Sequence, residues 1–151
     1  MPKITPFLWF DDNAEEAINF YLSVFQTGKI LSIKRNEDGK LFIATFELEG
    51  QQLMALNGGP HFKFTEAISL AVDCASQQEV DELWEKLSEG GEKGRCAWLK
   101  DKFGLSWQIV PKILRDLVAD ADPVKSKRVM DAILQMDKLD IETLKRAYEG
   151  A

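Results

Sequence analysis

An α+β domain of two tandem βαβββ modules with a C-terminal helical extension is the fold this sequence predicts. Three observations predict it. An aromatic strand, an amphipathic helix and three short strand segments follow one another between Ile4 and Asn57, and the same order returns between Ala67 and Val110. The apolar helix face Ala17, Phe20, Tyr21 and Val24 recurs 63 residues later as Val80, Leu83, Trp84 and Leu87, and such self-similarity marks structural repeats. Beyond Pro111 the composition shifts to helix formers. One such module leaves a sheet face uncovered; two can pair and bury more of it, with helices outside and a cleft inside. The expected organisation is residues 1–111 as two modules (about 3–58 and 66–111), with residues 112–151 as an extension of the same domain.

Each element has its own signal. Ile4–Phe10 is aromatic and aliphatic and reads as a strand, with Pro6 near its start, where a missing N–H is tolerated. Asp11-Asp12-Asn13 supplies a turn and an N-cap, and a helix follows from Ala14 to Phe25, with Glu15 and Glu16 at its positive end. Gly28 closes that helical region. Ile30–Arg35, Leu41–Leu48 and Gln51–Asn57 are strands separated by the hairpin signals Asn36-Glu37-Asp38-Gly39 and Glu49-Gly50. Gly58-Gly59-Pro60 then breaks the chain. In the second half Ala67–Asp73 is a strand, and Ser76 and Gln77 open a helix that runs to Ser88 before Gly90-Gly91. Cys96–Lys100 and Leu105–Val110 are strands, and Glu92–Arg95 carries a weaker strand signal.

In the extension, Lys112–Leu117 reads as a turn of helix. Asp122-Pro123 starts a helix with the stripe Val129, Ile133 and Met136, and Asp140 caps another with Ile141, Leu144 and Tyr148. These helices either pack on their own chain, the reading favoured here, or grip a second subunit.

With 19 Lys+Arg against 25 Asp+Glu, the net charge of −6 repels phosphate backbones and argues against nucleic-acid binding. No apolar run approaches the ~18 residues of a membrane span. The N-terminus lacks the apolar core of a signal peptide, and two cysteines, Cys74 and Cys96, in a core-forming chain read as reduced and structural. The expected location is the cytoplasm.

The start Ile4–Phe10, the helix Ala14–Tyr21, the stretch Glu66–Leu70 and the run Trp98–Gln108 together resemble the PhnB-like branch of the vicinal oxygen chelate superfamily. That superfamily includes glyoxalase I, extradiol dioxygenases, fosfomycin-resistance proteins and bleomycin-binding proteins. The resemblance is taken to extend over nearly the whole chain, tail helices included. It implies the glyoxalase/bleomycin-resistance-like pairing of modules, a small-molecule ligand and a homodimer. Members of this branch are often named 3-demethylubiquinone-9 3-methyltransferases. A methyltransferase of the common α/β type needs a glycine-rich turn after a first strand, and this chain has none in a βα context; Asn57-Gly58-Gly59-Pro60 leads into extended sequence.

Superfamily enzymes hold a divalent metal with His, Glu or Gln from the first and last strands of each module. Those positions fall here at Thr5, Met54, Ala67 and Gln108, with Glu66 in place of Ala67 if the alignment shifts by one. Threonine is a weak ligand, alanine has no ligand atom and methionine prefers soft metals, so the set falls short of the usual three or four donors. His61 lies in the link between modules and reads as a loop imidazole. No metal and no other cofactor is expected.

Strand alternation sends Thr5, Phe7 and Trp9 to the face away from the first helix and Leu8 and Phe10 beneath it. The same logic places Ile68, Leu70 and Val72 under the second helix and Ala67, Ser69 and Ala71 on the open side. The expected ligand contacts are Thr5, Phe7, Trp9, Met54, Ser69, Ser106 and Gln108, an aromatic cup with a few hydrogen-bonding groups. Phe7, Trp9, Met54 and Trp98 read equally as a second core. Asp101 reads as a turn cap. Three functions follow: a metal-free small-molecule-binding protein, favoured here; a metal-dependent glyoxalase- or dioxygenase-type enzyme using Glu66, Gln108 and His61; or an interaction module whose cup is packed shut. Whether the chain is catalytic stays open.

Overall fold

The computed structural model describes residues 2–151 and divides into two compact units, the first ending at Phe64 and the second beginning at Thr65. The first holds strand β1 (Phe7–Phe10), helix α1 (Ala14–Val24) and strands β2 (Gly28–Arg35), β3 (Leu41–Leu48) and β4 (Gln51–Asn57). Its sheet order is β1-β4-β3-β2, with β1 and β4 parallel and the hairpin pairs antiparallel. Leu8, Phe10, Ala44, Phe46, Leu53 and Ala55 are buried on the face that carries α1, which contributes Ala14, Ala17, Ile18, Tyr21 and Val24. Ile18 belongs to the buried stripe and Phe20 only borders it, a shift of the predicted face toward the helix N-terminus.

Asn13 is the N-cap of α1 by position, but its side chain makes no cap bond. Asn57 caps the helix instead: its Oδ1 accepts from Ala14 N–H at 2.8 Å while its Nδ2 donates to the Leu41 carbonyl at 2.9 Å. Strand β1 begins three residues later than the sequence predicts. Pro6 has no N–H to give a ladder; its carbonyl accepts from Met54 N–H, and Ile4 is 85% exposed. Gly28 is the first residue of β2, not a helix terminator. A Cβ there would lie 2.7 Å from the Glu47 carbonyl oxygen, so only glycine fits against the partner strand. Glu49 and Gly50 both have positive φ, 47° and 82°, which suits a tight hairpin turn between β3 and β4.

The second unit repeats the order with β5 (Ser69–Cys74), α2 (Gln77–Ser88), β6 (Glu92–Lys93), β7 (Trp98–Lys100) and β8 (Ser106–Pro111). Its sheet order, β5-β8-β7-β6, is that of the first unit, again with a parallel pair between its first and last strands. The repeated element order and the two-module α+β fold are thus both present. Helix α2 is capped by Ser76, whose hydroxyl accepts from Glu79 N–H, and buries the predicted face Val80, Leu83, Trp84 and Leu87.

Two expectations fail here. Strand β5 starts at Ser69 because its partner β8 starts at Ser106, so Ile68 has no strand to pair with and is 57% exposed rather than beneath α2. The stretch Cys96–Ala97 is not strand: both residues adopt left-handed φ, 57° and 78°.

Helices α3 (Ile113–Val118), α4 (Pro123–Ile133) and α5 (Ile141–Glu149) complete the second unit. Asp122 caps α4, Asp140 caps α5, and Gly150 ends α5 at φ 81°. Leu117, Val129, Ile133, Leu139 and Leu144 form a core cluster with Ala97, so the extension packs on its own module. Helix α4 ends before Met136, which is partly buried against this cluster from the loop. The side chain of Gln77 ties that loop to α2, donating to the Leu139 carbonyl at 3.0 Å and accepting from Ile141 N–H at 2.7 Å. No helix among the described residues is long and apolar enough to cross a membrane.

Candidate functional site

Registered neighbours in a sheet share a face. In the first unit Phe7 pairs with Met54, which pairs with Thr45, so these three share the face away from α1. Phe7 is 48% exposed and Met54 partly buried there. Trp9 lies on the same face, but its surroundings are internal. Its indole N–H donates to the Gly59 carbonyl at 2.9 Å, and Phe62 meets the ring edge-on at 4.9 Å. A Cβ on Gly58 would lie 2.3 Å from the indole. The Gly58-Gly59 pair therefore serves as a seat for Trp9. Thr5 precedes β1 and is half-buried.

In the second unit Ser69 pairs with Ser106, and Ala71 and Trp98 both pair with Gln108. These residues, with Lys100, occupy the face away from α2. Gln108 Nε2 donates to Ser69 Oγ at 2.9 Å. Ser106 is fully buried, and its Oγ has no hydrogen-bond partner. It lines a recess of about 130 Å³ together with Trp98, Lys100, Glu66, Glu92 and Gly94. At this size the recess is smaller than a drug-sized site, which runs to roughly 300 Å³ or more.

Charge at the recess is set by three residues. Glu66, in the turn before β5, is ion-paired with Lys100 of β7. The hydrogen bond from Lys100 holds the Glu66 carboxyl below its usual range, and the same bond, aided by the nearby Glu92 carboxylate, raises the Lys100 ammonium. Lys93 also lines the recess and is ion-paired with Glu85 of α2 at 2.8 Å, so both recess cations, Lys93 and Lys100, have carboxylate partners.

Asp101 is buried and turns the chain into β8. Its Oδ1 accepts from Phe103 N–H and Leu105 N–H, and its Oδ2 accepts from the Trp107 indole at 2.9 Å. This is the turn cap the sequence suggests. The two cysteines are free; burial pushes the Cys74 thiol up to about 12, which makes it inert at neutral pH.

The predicted contacts thus divide between the units. Ser69, Ser106 and Gln108 adjoin one another on the second sheet, Phe7 and Met54 on the first, and Trp9 is engaged by its own link segment. Sequence reasoning missed Lys100 as a contact and read Glu66 only as a candidate metal ligand. Strand alternation held the signal: Trp98 and Lys100 are two apart and share a face with Ser106 and Gln108.

The metal positions fail a chemical test. Thr5 offers a hydroxyl, Met54 a thioether and Ala67 nothing; Gln108 offers one amide oxygen, its Nε2 being bonded to Ser69, and Glu66 is ion-paired with Lys100. His61 is exposed in the link. Among the described residues no group of three or more His, Cys, Asp or Glu is placed to hold a metal ion. These residues do not fit a divalent cation site.

The family model of the 3-demethylubiquinone-9 3-methyltransferase domain matches residues 2–110, and the chain belongs to that family. The PhnB protein from Bacillus cereus is 38% identical, with a TM-score of 0.66 over 73% of this chain and 99% of that one. Protein PA1353 from Pseudomonas aeruginosa is 21% identical, with a TM-score of 0.60 over 74% of this chain and 98% of that one. The fosfomycin resistance protein FosX from Listeria monocytogenes, solved with Mn(II) and sulfate, is 15% identical, with a TM-score of 0.53 over 72% of this chain and 91% of that one. The last two show the fold alone. Among curated proteins none matches. The family match stops before α3, which corrects the expectation that the resemblance includes the tail helices.

Proposed function

We propose that this chain is a metal-free, small-molecule-binding member of the PhnB-like branch, with its ligand seated at the Ser106 recess of the second module. The observation that carries this reading is the Ser106 hydroxyl, fully buried, without a protein partner, and lining a cavity. Leaving a buried hydroxyl unpaired costs about 1–3 kcal/mol, a cost that a packing role does not require and a binding role does. Trp98 supplies a flat apolar wall, Lys100 a cation ion-paired with Glu66 in the turn before β5, and the Gln108–Ser69 pair further polar contacts. Phe7 and Met54 offer apolar surface on the open face of the first module. Thr5 and Trp9 remain proposed contacts of the first module, Trp9 with the smaller free surface.

Ser106→Ala tests this. The variant is expected to lose no stability and to gain up to about 1 kcal/mol in denaturant unfolding. Compounds that shift the wild-type tryptophan signals in a screen of small polar metabolites are expected to bind about tenfold more weakly to it. A loss of more than about 1 kcal/mol would make Ser106 a structural residue and remove the basis of the reading.

The metal-dependent glyoxalase or dioxygenase alternative makes the opposite forecast about metal. Protein purified without chelator is expected to carry far less than one divalent ion per chain by inductively coupled plasma mass spectrometry, and stoichiometric metal would reverse the ranking. Methyl transfer is not part of the proposal: β1 leads into α1 through Asp11-Asp12-Asn13 without a glycine turn, and Gly58-Gly59 is occupied by Trp9. A homodimer in the cytoplasm completes the reading. The exposed Ile30 and Leu31 of edge strand β2 support the first part and the two free cysteines the second.

A further inference from the structure

We propose that the C-terminal extension is a positioning element: its Met136 and Asp137 carbonyls hold Cys96 and Ala97 in a left-handed turn and thereby set the direction of Trp98 at the recess. The proposal deepens the reading of that recess as the ligand site. It also stands on geometry that needs no ligand to be measured.

Arg95, Cys96, Ala97 and Trp98 form a β-turn in which Trp98 N–H donates to the Arg95 carbonyl at 3.0 Å. Both central residues have positive φ, 57° and 78°, the pattern of a type I′ turn. Such turns select Asn-Gly or Gly-Gly, because left-handed backbone is unfavourable for residues with a Cβ. Cys-Ala has neither advantage, so something outside the turn must hold it. The extension does so. Cys96 N–H donates to the Met136 carbonyl at 2.8 Å and Ala97 N–H to the Asp137 carbonyl at 2.9 Å, while the Ala97 methyl is buried in the cluster with Val129, Ile133 and Leu144.

The residue that follows is Trp98, which lines the recess, and the Ala97 carbonyl accepts from Ile109 N–H, which locks the turn to β8. The loop that carries Met136 and Asp137 is in turn fastened to α2 by Gln77 and by the Lys138–Asp81 ion pair. The chain of contacts therefore runs from α2 through the extension to Trp98. The family match ends at residue 110, so this support comes from a segment outside the matched residues.

The experiment uses full-length protein labelled with 5-fluorotryptophan, the Trp98 resonance being assigned with Trp98→Phe. Gln77→Ala removes both side-chain bonds to the loop. Amide exchange at Cys96 and Ala97 is expected to quicken about tenfold and the Trp98 resonance to shift or broaden, while the Trp9 resonance and amide protection in the first module stay as in wild type. Lys138→Ala is added if Gln77→Ala alone leaves residues 137–141 protected. Introducing C96N and A97G together into the loosened protein supplies a turn that favours the left-handed shape unaided, and is expected to return the Trp98 resonance to its original position. A Trp98 resonance that stays fixed while residues 137–141 exchange faster would overturn the proposal, as would failure of the Asn-Gly turn to restore it. Neither readout involves a ligand, so failure here is distinct from failure of the Ser106 test.

Discussion

Asp101→Ala is expected to lower the unfolding free energy by about 4 kcal/mol. Asp101 is only 2% exposed, and its carboxylate accepts two backbone N–H bonds and the Trp107 indole N–H. Bonds to a charged acceptor contribute about 1.5–3 kcal/mol each. Truncation also leaves the buried Leu105 N–H and Trp107 Nε1 without their acceptor. Denaturant unfolding monitored by tryptophan fluorescence checks this. A loss below about 1 kcal/mol would mean that the turn into β8 holds without its side-chain clasp. Because β8 carries Ser106 and Gln108, the variant is also expected to lose protection along that strand before the first module does.

Gly91→Ala is expected to cost about 3 kcal/mol and to open the β6–β7 hairpin that walls the recess. A Cβ at this position would lie 2.1 Å from the Lys100 carbonyl oxygen and 2.6 Å from the Asp101 carbonyl carbon. Both obstacles are backbone, so no side-chain rotation relieves the clash; the strand itself must move. The φ of Gly91 is not left-handed, and the requirement for glycine is therefore one of space. Hydrogen exchange across Glu92–Lys100 reads the hairpin directly, and unchanged protection there would contradict the close approach. The two substitutions share neighbours at Lys100 and Asp101, so their costs should not add.

Much of this architecture is legible in the sequence, and the exceptions are instructive. Strands β3 and β4 are bounded by Asn36–Gly39, Glu49-Gly50 and Gly58-Gly59, residues whose backbone preferences mark ends sharply, and their limits match. Helix α2 starts at a serine cap and stops before Gly90-Gly91, with its buried face at helical spacing. The errors fall where tertiary structure overrides local preference. Ile68 reads as core by alternation, but its strand stops short because the partner strand does. Cys96 and Ala97 read as strand because neither residue carries a turn signal; the acceptors that bend them come from some forty positions downstream. That Ser69, Ser106 and Gln108 share a face follows from alternation, whereas the unpaired state of the Ser106 hydroxyl does not, since it depends on what every neighbouring side chain already binds.

Refining high-resolution electron density beside Ser106 Oγ, in crystals of protein purified without chelator, tests the central claim most directly. The account predicts a small non-protein molecule against Trp98, with a polar atom in hydrogen-bond reach of Oγ and lost from Ser106→Ala crystals. A recess filled by the chain's own side chains, one of them bonded to Ser106, would contradict it.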